Sequence, residues 1–383
     1  MKKWTASLMA LMLLGMCGTA FAAGAITLDK AMYTNIYGSA VTNDGNTVIA
    51  GSLRDQENKT EGENPTAAWL ACIGEGGKIL WEIKDEKPEN RSIYASPCVL
   101  MDGSIIVLFI NRTAAEGGLK AQYMLRSFSP KGECMGELTL DDTYSHCLPT
   151  NDGILVSFVD RSKPRPYPRH CTLYGASLKP AWTLEDISTN FRHDAAVSDG
   201  ESITLLYRYT NVSNYIDDQV RLVRVNGQGK VLWTHMLADK QMGYMALKMD
   251  PEGNNIVFLG DWGPEGQTAA GNLICIDPNG NELWNKPVTL NEKDGMFELN
   301  DFRLLDDGYL LMGLAKTETR VRLHRLKQDG TLIGTTDHYV HDEIAYYDPH
   351  FAELGGELYA CATEAERTKS TAMMIPLTIP GMK

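Results

Sequence analysis

Two turn motifs recur about every fifty residues with no helical periodicity between them. They predict an all-β fold, a seven-bladed β-propeller of four-stranded antiparallel blades. The first motif is an acidic residue followed by glycine between two apolar runs. It stands at Asp44-Gly45, Asp102-Gly103, Asp152-Gly153, Asp199-Gly200, Glu252-Gly253 and Asp307-Gly308, with Gly355-Gly356 as a degenerate seventh copy. The second is a glycine with tryptophan four positions on, at Gly77/Trp81, Gly229/Trp233 and Gly280/Trp284. Weaker copies begin at Gly132 and Gly330, and Leu178 replaces the glycine ahead of Trp182. Glycine tolerates the positive φ of a tight hairpin, so each repeat reads as two hairpins, strands A to D. A closed ring also explains how an all-β chain of 383 residues avoids open sheet edges.

In chain order, the first element is a targeting segment. Lys2 and Lys3 precede an uncharged apolar run from Ala6 to Phe21, and Ala20-Phe21-Ala22 fits a signal-peptidase site. Residues 1–22 are therefore read as a Sec signal peptide cleaved after Ala22, with a secreted or periplasmic mature chain and a single domain over 24–383. A lipoprotein signal ending in Cys17 is disfavoured because Met16 is not small. No second apolar stretch is long enough to span a bilayer. The segment Gly24 to Asp29 has no hairpin partner in sequence. The last repeat ends at Ile379-Pro380-Gly381, where a C–D turn falls due, so it lacks a strand. The N-terminal segment is expected to supply it.

Composition narrows function. Thirty-six Lys and Arg against 49 Asp and Glu give a net charge of −13, and losing Lys2 and Lys3 takes it to −15. So acidic a chain lacks the basic footprint of a nucleic-acid binder. The mature chain holds seven cysteines, an odd number, with no CxxC pair. Most lie in apolar strand-like runs, as buried thiols do.

Asp277-Pro278-Asn279-Gly280-Asn281-Glu282-Leu283-Trp284 and the two Gly-Lys-x-Leu-Trp copies resemble the repeat of the PQQ-like (quinoprotein-like) β-propeller superfamily. The resemblance spans nearly all of the mature chain and implies the propeller fold. Quinone-dependent members typically carry an adjacent Cys-Cys pair, absent here, so the resemblance is to the non-quinone exported bacterial members, which act as scaffolds. No cofactor or metal is expected.

Candidate chemistry follows from the ring. Trp81, Trp182, Trp233 and Trp284 hold a fixed place in the repeat and are expected to pack between blades. The Asp/Asn-Gly turns lack the alternating ligands of a calcium loop. Arg161 to Arg169 carries four positive charges and three prolines, and could meet an anionic partner. The long B–C loops, Leu53 to Thr66, Asn111 to Leu119, Val159 to Arg169, Tyr209 to Asp218 and Asp261 to Ala270, share one face and mark it as functional. Aligning the blades on their acidic-Gly turns brings Tyr37, Tyr94, Tyr144, His146, Arg192, His193, Tyr244, Glu298, Tyr347 and His350 to the starts of the A strands. These residues are the predicted ligand-binding set, suited to stacking on and hydrogen bonding with a polar ligand. Partners of that kind are a polar small molecule, a glycan or an envelope protein, and a monomer is expected. The competing reading is a secreted or envelope enzyme acting on a glycan at the channel mouth. That reading requires acid/base groups within hydrogen-bond reach of one another.

Overall fold

The computed structural model describes residues 25–28, 33–54, 66–85, 91–115, 118–141, 144–159, 162, 169–185, 191–209, 219–238, 242–261, 270–290, 297–315, 320–338, 345–365 and 370–381. These residues form seven four-stranded antiparallel sheets, with one 3-10 turn at Glu75–Gly77. Six sheets run A to D in chain order. In the seventh, Ala345–Leu354, Glu357–Ala365 and Ser370–Pro376 are completed by Ile26–Thr27 from the N-terminus.

Burial follows radius. The B strand Gly153–Val159 is buried at every position, and Thr47–Arg54 at all but the last. Both faces of these strands meet neighbouring blades, so they are continuously apolar rather than alternating. The outermost strands Ile79–Asp85 and Val231–Ala238 instead alternate exposed and half-buried residues after their first position. No blade packs on itself alone. Seven apolar clusters each join two adjacent blades, from Val48, Leu70, Tyr94 and Phe109 between blades one and two to Ile36, Trp69, Ala352 and Met374 between blades one and seven.

The N-terminal strand closes the ring as the sequence predicts, through a shorter pairing. Ile26 pairs with Met374 and Thr27 with Met373, and the Leu28 amide donates to the Ala372 carbonyl at 3.0 Å. Blade seven also grips blade one through Thr47, whose hydroxyl donates to the Glu353 carbonyl and accepts from the Glu353 amide.

The Gly/Trp motif has a single physical cause in three places. Gly132, Gly229 and Gly280 sit at φ of 83°, 77° and 88°. A Cβ added there would lie 2.8 to 3.0 Å from Trp81, Trp182 and Trp233, each belonging to the preceding blade. The indole N–H groups of Trp81 and Trp233 donate to the carbonyls of Pro130 and Pro278 in that next turn. In the seventh interface Ile26 takes the indole's place against Gly77. Trp284 departs from the expectation, because Gly330 faces Pro287 and Val288 while the Trp284 ring lies 4.2 Å from Lys286 Nζ. Where blade two has Gly136 at the indole position, blade three carries Leu178 in place of glycine. Leu178 is buried at φ 55° and reaches to 3.9 Å from where a Gly136 Cβ would stand. Large and small partners have changed sides, and the space between the blades stays filled.

Two other sequence expectations change. Asn111 to Leu119 is not a long loop: Ile105–Ala115 and Gly118–Phe128 stay paired up to Ala115 and Gly118. Of the seven described cysteines, all thiols, six are buried and Cys134 is exposed.

Candidate binding channel

The A strands, Tyr33–Val41, Arg91–Val99, Tyr144–Thr150, Phe191–Ser198, Met242–Met249, Phe297–Leu305 and Ala345–Leu354, pair only outward, with their B strands, and so line the axis. Every one of them is bulged. Pairing skips Tyr37 in blade one, Ser96-Pro97 in blade two, Ser145 in blade three and Asp194 in blade four. It then skips Gly243-Tyr244, Asn300 and Asp348-Pro349 in blades five to seven. A bulge frees a residue from the ladder and re-aims it, and such bulges gather beside functional sites. The seven lie five to nine residues before their A–B turns and form an uneven collar around the channel. Ser96 and Asp348 hold positive φ, at 50° and 47°, which strained turns reserve for a purpose or for Gly.

The sequence-predicted residues fall into several registers of this collar. Tyr37 and Tyr244 are bulge residues. Tyr37 is 38% exposed and Tyr347, one residue before the blade-seven bulge, is 51% exposed. Rings so open are unusual on strands otherwise packed between blades. Tyr244 and Glu298, from blades five and six, come together: the phenol donates a hydrogen bond to the carboxylate. Burial, then the adjacent carboxylate, push Tyr244 up to about 12, so it remains a protonated donor at neutral pH. His350 is half-buried and pairs opposite Cys361 just past the bulge. The side chains of Tyr144, His146, Arg192 and His193 lie outside the described residues, as do most of the long loops and the basic segment from Arg161.

Tyr94 is corrected outright. It is 0% exposed, packed 5.3 Å from Phe109 and 6.2 Å from Phe128 between blades one and two. Its hydroxyl accepts from Arg126 at 2.6 Å, and Arg126 also pairs with Asp85 and Glu137. Burial pushes the phenol up to about 12. Tyr94 is a core residue that anchors a buried cation. The alignment that selected it counts back from the acidic-Gly turn. Each bulge adds one residue, but it lies five or six positions before the turn in blade two and eight or nine in blade five, so equal counts from the turn do not bring equivalent residues together. The collar's own members Ser96, Asn300 and Asp348 were missed for the same reason. Pro97 and Pro349 were the available signal, because proline inside a strand is confined to edges and bulges.

At the tight-turn end lies a cavity of about 1300 Å³ that reaches from the inner strands out to Trp284 and Lys286 on the outermost strand of blade five. The ends of the A strands line it, including Ser39, Thr150, Lys248 and Asp250. Its wall is tied from blade to blade. Ser39 donates to the Phe351 carbonyl at 3.1 Å, Asn43 to Met101 at 2.9 Å, and the Cys98 thiol to Thr150 at 2.8 Å. Asp301 accepts the Phe351 amide at 3.0 Å and lies 3.7 Å from Lys248, while Arg303 pairs with Glu353 at 2.8 Å. Among the described residues no group of three or more His, Cys, Asp or Glu could hold a metal ion, and no helix is long and apolar enough to cross a membrane.

Fold and channel together define a seven-bladed β-propeller. No family model matches this chain, and no curated protein matches it. Solved structures do. The β-propeller domain of the Trilobed protease from Pyrococcus furiosus superposes with a TM-score of 0.55 at 9% identity, over 92% of this chain and 98% of that one. The acylaminoacyl peptidase of Pyrococcus horikoshii gives 0.50 at 10% identity, over 91% of this chain and 53% of that one. The chain thus spans about half the length of that peptidase. Identities this low show the fold alone. The Trilobed protease propeller is described as having an open velcro topology. In the present ring the N-terminal strand occupies the last blade.

Proposed function

We propose that the chain is an exported binding propeller, akin to the non-quinone PQQ-like scaffolds, that holds a polar ligand in its central channel. The observation that carries this reading is the collar of seven bulges, one on each inner strand, with Tyr37 and Tyr347 left open beside it. Rigid inner strands tied across blades are the right mount for such a site, since ordering costs are met during folding rather than binding. The export signal and the absence of a basic footprint fit an envelope or extracellular partner.

Contact between Tyr244 and Glu298 favours a second reading, an enzyme of the channel mouth, because it places two ionisable groups within hydrogen-bond reach. A phenol at about 12 is too weak an acid to give up its proton readily at neutral pH. The pair therefore serves first to present a hydroxyl and a carboxylate to a ligand. The test is a thermal-shift screen of the purified mature chain against soluble glycans and peptides. A hit whose stabilisation disappears in the Tyr37→Ala/Tyr347→Ala double variant, with cooperative melting retained, supports the channel site. Unchanged stabilisation moves binding elsewhere. Turnover of the hit, stopped by Glu298→Gln, would establish the enzymatic reading.

A further inference from the structure

We infer that the collar sector spanning blades five, six, seven and one binds an organic cation, an amine carrying N–H donors; this rests on the channel reading above. The argument is one of matched chemistry. Tyr37 and Tyr347 stand on neighbouring blades with their rings accessible. An aromatic face attracts an ammonium or guanidinium group through the ring quadrupole. The same sector supplies two carboxylates, Glu298, engaged by Tyr244, and Asp348. Asp348 is exposed, sits on the bulge, and makes no ion pair among the described residues. Two cations of the same blades, among the described residues, are already committed: Lys248 to Asp301 and Arg303 to Glu353.

A separate observation points to the ligand's donors. The Oδ1 atom of Asn300, the blade-six bulge residue, is buried with no hydrogen-bond partner in the structure. A buried acceptor left empty costs free energy that an N–H donor returns. Hydroxyls of a neutral sugar could fill that acceptor but would leave the Asp348 charge uncompensated. An anionic ligand would meet two carboxylates on a chain already at −13. Stacking rings, a free carboxylate and an unfilled acceptor converge on a positively charged donor.

Spermidine is the probe, with maltotriose and trigalacturonate as neutral and anionic comparators, all titrated calorimetrically at low salt. The expected result is 1:1 spermidine binding, weakened about tenfold by Tyr347→Ala and again by Asp348→Asn, the size of a partly desolvated cation–π contact. Asparagine tolerates the left-handed backbone at 348, and Tyr347 is exposed, so both variants should keep the parent melting temperature. Glu201→Gln, an exposed acid on the blade-four turn, should leave the affinity unchanged. Equal loss in Glu201→Gln, or none in either collar variant, reduces spermidine binding to diffuse charge attraction and overturns the inference. Tyr347-dependent binding of maltotriose or trigalacturonate without spermidine keeps the channel reading and overturns only the cation. If none of the three binds in a Tyr347-dependent way, both fall.

Discussion

At the scale of single residues, the tryptophans separate into two kinds that the sequence repeat does not distinguish. Trp233 covers the Gly280 turn of the next blade and donates to Pro278 at 2.9 Å; Trp284 covers no such turn. Both rings are half-buried, so neither substitution carries the full cost of a core tryptophan. Trp233→Ala should cost about 2–3 kcal/mol, combining lost contact with a lost hydrogen bond. Trp284→Ala should cost about 1 kcal/mol less, for want of that bond. Gly280→Ala should be as damaging as Trp233→Ala, since a Cβ there meets the indole at 2.8 Å in a backbone that only glycine adopts freely. Urea denaturation of the three variants checks the order; equal losses for Trp233→Ala and Trp284→Ala would show that neither the bond to Pro278 nor packing onto Gly280 adds stability. The collar shows where residue-level reading stops. Counting back from the turns reaches Tyr37, Tyr244, Glu298 and Tyr347 at seven, eight, nine and eight positions, and reaches Tyr94 at eight as well. The count alone does not reject Tyr94, because the bulge at Ser96-Pro97 lies between it and the turn; Pro97 was the one mark of that bulge in the sequence.

Strands and turns were the most legible elements. An Asp-Gly or Glu-Gly pair demands a hairpin wherever it falls between apolar runs, and all seven A–B hairpins stand where the turns placed them. The irregular copy at Leu178 is informative in a different way. Its positive φ is a cost for a branched side chain, roughly 1 kcal/mol or more, retained because Leu178 fills the space that Gly136 leaves. The two positions are therefore coupled. Gly136→Trp alone should destabilise by forcing an indole against Leu178, and Leu178→Gly alone by opening a void. The double substitution restores the pattern of the other interfaces and should lie closer to the parent than either single change. A coupling energy of about 1–3 kcal/mol is expected in that cycle. Additive effects would mean that the two residues do not share one space.

For the whole molecule, closure was readable from arithmetic: a last repeat one strand short and a first segment with no partner. What the count could not supply was the length of the closing strand, because pairing needs only the two residues that reach Met373 and Met374. The seal is nonetheless substantial, since Leu28 is buried and Ile26 fills the place of a tryptophan. A chain beginning after Leu28 should melt at clearly lower temperature, losing at least about 3 kcal/mol with two apolar side chains and a covered sheet edge. A truncated chain melting within a degree or two of one that keeps Ile26 to Leu28 would show that blade seven stands on three strands.

The grip between blades one and seven also governs time. Thr47 and Glu353 are 306 residues apart in the chain, and Ile36 and Thr363 are 327 apart. Contacts of such separation form late, after the chain has closed its largest loop, and their rupture is the natural first step of opening. Because every core is shared between two blades, an opened seam strips one face from blade one and another from blade seven at once. The lifetime of the native ring is then set at a single vertical joint. Interactions absent from the transition state slow unfolding without altering the rate of folding. A cross-link across that joint would lengthen the protein's life against proteases while leaving its speed of assembly untouched.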